Sequence, residues 1–375
     1  MANATFANSY NITNRYDPFT WLPDSKTYVV PLQSPNLLYY MSSGVMYDPT
    51  PDDYNSYPAS SFFPPLINDL KFTVDSTGRA NLVLYIHGLG NTYSDALTAA
   101  ANLGTTLQAA GYEGLVMGFS WPSYSELVAA LTSYYATTRP PQATSGTIRD
   151  NINGSVGSFL AMLAQLQAIK INNNPINISV ITHSEGNFML MWGMAQYPKN
   201  SPPMNHSFML AADISAAMLQ GGQTGKGITG NFQDVNVYFS GCDPDLTYSD
   251  YEFFAYHDQS YPTRLGLIGP FGYPPANPGP PNVTALDCSQ VTVNLGDILD
   301  VHSSYMSLPP VISDITSILN GAKPSGRTQY PGTALPWYYL DPSQATHPGI
   351  KELWSGKIKI HPKFHSITRG RMSCV

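Results

Sequence analysis

From residue 81 onward the chain alternates short, continuous apolar runs with longer stretches of helical spacing, and that alternation restricts it to one broad class of fold. The runs are Asn81-Leu-Val-Leu-Tyr-Ile86, Gly114-Leu-Val-Met-Gly-Phe119, Ile176-Asn-Ile-Ser-Val-Ile181, Ser207-Phe-Met-Leu-Ala-Ala212 and Asp234-Val-Asn-Val-Tyr-Phe239. A strand apolar at successive positions buries both faces, as strands do where helices cover a sheet on each side. Helical stretches separate the runs: Ser94 to Ala110, closed by Gly111, then Ile152 to Ile169 and Gly186 to Gln196. A further strand is expected at Gln290-Val-Thr-Val-Asn-Leu295, and a last helix from Pro310 to Leu319, ended by Asn320-Gly321. Earlier, Leu70-Lys-Phe-Thr-Val-Asp75 alternates as a half-buried strand would. The expected fold is α/β, with a mostly parallel central sheet and helices on both faces.

Three regions follow. Residues 1–70, rich in Pro, Tyr, Asn and Ser, read as an N-terminal extension packing on the core. Residues 71–321 carry the alternating pattern, and residues 322–375 form a C-terminal extension. Its basic tail holds Lys351, Lys357, Lys359, Lys363, Arg369 and Arg371. Elsewhere charge is sparse: 11% of residues are charged and the net charge is −7, so no basic field exists to attract nucleic acid. No run approaches the roughly 18 apolar residues of a membrane span. The N-terminus lacks the charged start and apolar stretch of a signal peptide. The shortage of charge favours an extracellular, mature form, with a cytoplasmic protein as the alternative. Three cysteines make neither a disulfide framework nor a zinc site. A Cys242–Cys288 bridge and two small buried hydrophobes are both open readings.

The chemistry-bearing segment is Ile178-Ser-Val-Ile-Thr-His-Ser-Glu-Gly-Asn-Phe188. An apolar strand runs into His183-Ser184-Glu185-Gly186 and a helix starts at once, the context of a nucleophile elbow that lifts Ser184 above the sheet. Thr182 stands where the Gly-x-Ser-x-Gly pattern has its first glycine. The plainer reading is a strand-to-helix turn with Ser184 as a cap. Val83-Leu-Tyr-Ile-His-Gly-Leu-Gly90 lies 97 residues before Ser184 at its histidine. Acyl transfer needs backbone N–H donors aimed at a developing oxyanion. In this arrangement they come from Leu89 and Glu185. An acid and a base must follow in that order. Asp243, 59 positions after Ser184, follows the strand ending at Phe239, and His302 lies another 59 positions on. Asp213 and Asp245 are the alternative acids. Trp121 follows the strand ending near Phe119 and is a candidate pocket wall, or an anchor of its loop onto the core.

These segments resemble the α/β-hydrolase fold and, within it, a little-characterised bacterial and archaeal hydrolase group. The residues carrying the resemblance are Ile86-His-Gly-Leu-Gly-Asn-Thr-Tyr-Ser-Asp-Ala-Leu97, Phe119-Ser-Trp-Pro-Ser123, Thr182-His-Ser-Glu-Gly-Asn187, Leu210-Ala-Ala-Asp-Ile214, Tyr238-Phe-Ser-Gly-Cys-Asp-Pro-Asp-Leu246, Arg264-Leu-Gly266 and Val301-His-Ser-Ser-Tyr305. They span residues 80 to 321, and the Ser-Trp-Pro-Ser box and the Arg-Leu-Gly triplet are the specific ones. The family's usual Met after the nucleophile is Glu185 here. A carboxylate beside an oxyanion hole opposes catalysis unless its side chain points away.

The expected function is a serine hydrolase of carboxylic esters, working through Ser184, His302 and Asp243 and an acyl-enzyme, with neither metal nor organic cofactor. Its substrate would be a small or polymeric ester. Lipase, thioesterase and peptidase variants of the chemistry, and a non-catalytic member that binds a ligand or partner, are the alternatives.

Overall fold

A computed structural model describes residues 8–13, 37–43, 55–91, 93–123, 148–199, 201–219, 223–247, 249–250, 264–270, 280–292, 301–331 and 335–340. The basic tail, Cys374 and residues 251–263 lie outside these residues. The strands are β1 (Asn8–Thr13), β2 (Leu38–Ser43), β3 (Asn55–Tyr57), β4 (Asn81–Ile86), β5 (Leu115–Ser120), β6 (Lys170–Ile171), β7 (Asn174–Pro175), β8 (Asn177–His183), β9 (Met204–Leu210), β10 (Phe232–Phe239), β11 (Val283–Asp287), β12 (Arg327–Gln329) and β13 (Trp337–Leu340). The longer helices are α1 (Ala59–Leu70), α2 (Tyr93–Ala109), α3 (Ile148–Gln167), α4 (Gly186–Ala195) and α5 (Pro309–Leu319).

One 11-stranded sheet runs in the order β12-β13-β11-β10-β9-β8-β4-β5-β1-β2-β3, with β6 and β7 as a separate hairpin. From β13 across to β1 every neighbouring pair is parallel, and only the outer pairs at each edge are antiparallel. The α/β fold with a mostly parallel sheet is therefore as expected. Along β4, Leu82, Leu84 and Ile86 pack with α1, α3 and α4 on one face, while Val83 and Tyr85 pack with α2 and α5 on the other. That two-sided burial is why the strand reads as an unbroken apolar run. Segments on both sides of residues 71–321 supply sheet strands: β1 pairs with β5, and β13 pairs with β11. Among the described residues no helix is long and apolar enough to cross a membrane.

Two strand expectations are corrected. Leu70 ends α1, and residues 71–73 form a short 3-10 turn before Val74 bridges to Ala80. Phe62, Leu66 and Leu70 are all buried at a spacing of four, so Leu70 belongs to a helical stripe rather than to a strand alternation. The position beside β10 is taken by Val283–Asp287, not by 290–295. Residues 289–292 are a helical turn, started where the Asp287 carboxylate accepts the Ser289 N–H at 2.9 Å. Val291 and Thr292 are buried in that turn, and 293–295 lie outside the described residues.

The far edge of the sheet is tied down by a buried ion pair. Arg327 on β12 donates from Nε and Nη2 to the two Asp314 oxygens on α5, at 2.7 and 2.8 Å. Tyr238 on β10 donates to Asp314 Oδ2 at 2.5 Å, and Arg327 reaches Asn236 Oδ1 at 3.1 Å. Asp314→Ala should therefore cost about 3–5 kcal/mol in urea unfolding, because it leaves a guanidinium without its counter-charge. The double variant Asp314→Ala, Arg327→Met should cost less than that single one. Equal losses would show that the stranded charge is not the cause.

Candidate active site

Ser184 sits between β8 and α4 with φ +53°, a left-handed conformation that a side chain rarely adopts. Such a residue costs on the order of 1–3 kcal/mol and persists only where its surroundings overdetermine it. They do so here. The Ser184 N–H donates to Leu210 O at 3.0 Å, and its carbonyl accepts the N–H of Asp213 at 3.2 Å and Asn187 Nδ2 at 2.9 Å. Thr182, in place of the usual glycine, points its hydroxyl to Asn187 Oδ1 at 2.5 Å, so the larger residue clamps the same turn. Gly186 has no such latitude. A Cβ there would stand 2.5 Å from Ile86 O and 2.7 Å from His87 O, because the start of α4 lies directly on the end of β4.

The loop after β4 passes over Ser184: a Cβ on Gly88 would meet the Ser184 Cβ at 2.8 Å. It is braced from the end of β5. The Trp121 N–H donates to His87 Nε2 at 3.2 Å, which makes Nδ1 the protonated nitrogen, donating to Gly88 O at 2.8 Å. The Trp121 indole N–H donates to His87 O at 2.9 Å, and the two rings stack at 5.5 Å and 4°. Asn91 Nδ2 donates to Gly88 O and Leu89 O, at 3.2 and 3.0 Å, and Ser123 Oγ donates to Asn91 O at 2.8 Å. Trp121 is completely buried, with its indole bonded to this loop. Within the described residues, the backbone N–H groups of Leu89 and Glu185 donate to no acceptor.

His302 lies in a short helical turn, residues 301–304, and its Nδ1–H donates to Asp243 Oδ2 at 2.8 Å. Asp243 is fully buried, and its Oδ1 accepts the N–H groups of Asp245 and Leu246, both at 3.1 Å. Burial alone would lower the His302 pKa, but the Asp243 carboxylate, joined by Asp245 and Asp213, overcomes it and raises it to about 9. His183 lies against the same ring, at 4.8 Å between centroids. Its Nε2–H donates to the His302 carbonyl at 2.7 Å. Burial, and then the neighbouring His302 charge, lower its pKa to about 4, so it stays neutral while its neighbour titrates.

The rival acids are placed differently. Asp213 takes the Ser249 hydroxyl at 2.8 Å and faces Arg264, whose Nε is 3.1 Å away. Asp245 is exposed and meets Asp243 through its backbone N–H. No disulfide joins Cys242 and Cys288, so the bridge between them is not formed. Among the described residues no three His, Cys, Asp or Glu side chains are grouped to hold a metal ion. The sequence reading passed over His183 and His87. His183 ends β8 beside Ser184 and His87 follows β4 beside Gly88, the one local signal they carry.

The sequence model of a family described as alpha/beta hydrolases of unknown function (DUF900) matches residues 67–313. No curated protein sequence matches significantly. Among solved structures, phospholipase PlaB from Legionella pneumophila, in complex with thio-NAD, aligns at 14% identity and a TM-score of 0.26. The alignment covers 60% of this chain and 41% of the phospholipase, so the chain spans well under half of that protein. A lipase-esterase related protein from Clostridium acetobutylicum aligns at 10% identity and a TM-score of 0.30, covering 66% of this chain and 96% of its own. Likeness this distant carries nothing about substrate.

The contact at Gly186 is testable without an assay for activity. Gly186→Ala forces a methyl group against two backbone carbonyls that cannot swing away, so it should cost at least about 1–3 kcal/mol, read as a fall in Tm. At Gly157, where an added Cβ meets nothing within 4 Å, the same change should be neutral or stabilising.

Proposed function

The chain belongs to this family of alpha/beta hydrolases, and from that premise we propose that it is a serine hydrolase of carboxylic esters, with Ser184 as nucleophile, His302 as base and Asp243 as the acid behind it. One observation carries the reading. A serine held at φ +53° lies under a loop carrying the undonated N–H of Leu89 and is followed by the undonated N–H of Glu185, while the preceding residue, His183, touches an imidazole whose Nδ1 is bound by a buried carboxylate. In the proposed cycle His302 Nε2 takes the Ser184 proton as Oγ attacks the ester carbonyl. Asp243 holds the imidazole in the Nδ1–H tautomer and stabilises the imidazolium that forms. The N–H groups of Leu89 and Glu185 receive the oxyanion, and His302 then protonates the departing alcohol. Water hydrolyses the acyl-enzyme by the same route in reverse. Esters rank first because Arg264 and Asp213 neutralise each other, and no other cation lies near the catalytic loops in the sequence.

Ser184→Ala should abolish turnover of a short-chain p-nitrophenyl ester and labelling by a fluorophosphonate, while changing stability by less than about 1 kcal/mol. A variant that kept more than a few per cent of activity would remove Ser184 from the scheme. Asp243→Asn should lose at least about a thousandfold in kcat, since it leaves the imidazole in the wrong tautomer and without its charge partner. Asp213→Asn should lose less than tenfold, or about 1 kcal/mol. The reverse order would make Asp213 the acid.

The pH profile follows from the raised pKa of His302. Its imidazole acts as base only when neutral, so kcat/KM must climb as pH rises through that value. The limb should lie above the ordinary histidine value of 6.5 and towards about 9. Asp243→Asn, which removes the carboxylate that raises it, should move the residual limb down. A wild-type limb at or below 6.5 would contradict the electrostatics of this pair.

A further inference from the structure

The Glu185 side chain has no part in the cycle above, yet it is the least accommodated group near the site. It is 1% exposed, and neither Oε1 nor Oε2 has a hydrogen-bond partner. A carboxylate deprived of both water and donors is unstable by several kcal/mol, so a group left in this way keeps its proton. Burial drives its pKa well above the carboxyl range, Asp213 raises it further, and Arg264 offsets part of the rise.

The surrounding charges leave no counter-ion for it. Behind β9 stands Asp213, and Arg264, at the start of the turn 265–268, holds its Nε 3.1 Å from the Asp213 carboxylate. Asp250 also interacts with Arg264, accepting its backbone N–H. On the end of β4, packed against Gly186, the titratable group is His87, whose two ring nitrogens are both engaged. Across Ser184, His183 is neutral and His302 is paired with Asp243. One guanidinium therefore already serves two carboxylates, and a third charge would have to draw it from Asp213. The backbone N–H of Asp213 is what holds the Ser184 carbonyl.

We propose that Glu185 works as a neutral acid, and that ionising it shuts the site from the alkaline side. The inference rests on the serine-hydrolase reading, because the N–H of this same residue is one of the two oxyanion donors. A negative side chain there opposes the charge that develops on the substrate oxygen, and loosens the pairing of Asp213 that braces the elbow. Both effects act on the transition state more than on the bound ester, so kcat falls and KM changes little.

The test compares wild type with Glu185→Gln, which keeps the shape and cannot ionise. With a p-nitrophenyl ester, kcat for wild type should fall again on the alkaline side of its optimum, and the variant should show no such fall. A second readout needs no activity. Because the folded pKa of Glu185 is raised, stability is fully present below the unfolded value and is lost as pH climbs towards the folded one. The Tm of Glu185→Gln should therefore exceed that of wild type by a margin that grows from pH ~4.5 upward and reaches about 2–4 °C at pH ~8. A margin that stays flat with pH overturns the neutral acid, whether or not esters are cleaved. A growing margin with an alkaline limb that persists in Glu185→Gln overturns the link to turnover. A growing margin in a protein that neither labels with fluorophosphonate nor cleaves esters refutes the serine-hydrolase reading instead, and so separates the two failures.

Discussion

The left-handed backbone at Ser184 is the constraint around which the carboxyl edge of the sheet is built. A residue in that conformation relaxes unless its N–H, its carbonyl and the chain on either side are all held. β9 supplies the acceptor for the N–H, Asp213 and Asn187 supply donors for the carbonyl, and Gly186 lets α4 start against the end of β4. These partners come from the end of β9 and the loop after it, from the first turn of α4 and from the end of β4. The turn therefore exists only in the assembled sheet.

A second layer of support lies outside the reacting groups. The residues from Ser120 to Ser123 bond to the loop from His87 to Asn91, through an indole N–H, a backbone N–H and a hydroxyl. The consequence is that Gly88 and Leu89 have their carbonyls turned towards Asn91 while the Leu89 N–H is left without an acceptor. His183 does the same service for His302 by holding its carbonyl. Two adjacent imidazoles are thus driven in opposite directions. His183, buried and without a carboxylate in contact, stays neutral, and His302, bound to Asp243, is pushed towards the cation. Separation of titrations in adjacent groups is how a site assigns one of two like residues to proton transfer.

Electrostatics across the elbow are arranged by scarcity. With 11% charged residues in the chain, few cations are available, and Arg264 is shared between Asp213 and Asp250. Glu185 is left outside that pairing, so its carboxyl is compatible with the site only as a neutral group.

Periodicity alone determined the fold class, because a parallel sheet covered on both faces writes itself as unbroken apolar runs such as Asn81–Ile86 and Asn177–His183. The glycines at 88, 90 and 186 and the positions of Ser184 and Asp243 after strands were legible for the same reason, since local spacing places strand ends, whereas the place of His302 rests on a strand at 290–295 whose first residues form a helical turn instead. Spacing could not say which of two alternating stretches occupies the slot beside β10. Val283–Asp287 and Gln290–Leu295 look alike in sequence, and the Asp287 cap on Ser289 decides between them. Nor could it assign the partners of Asp213, the partner of the Trp121 indole or the contact of His183 with His302. Those depend on side chains from strands far apart in the chain meeting at one edge. The partner of a buried polar group is chosen by distance in the folded sheet, and distance along the sequence carries no information about it.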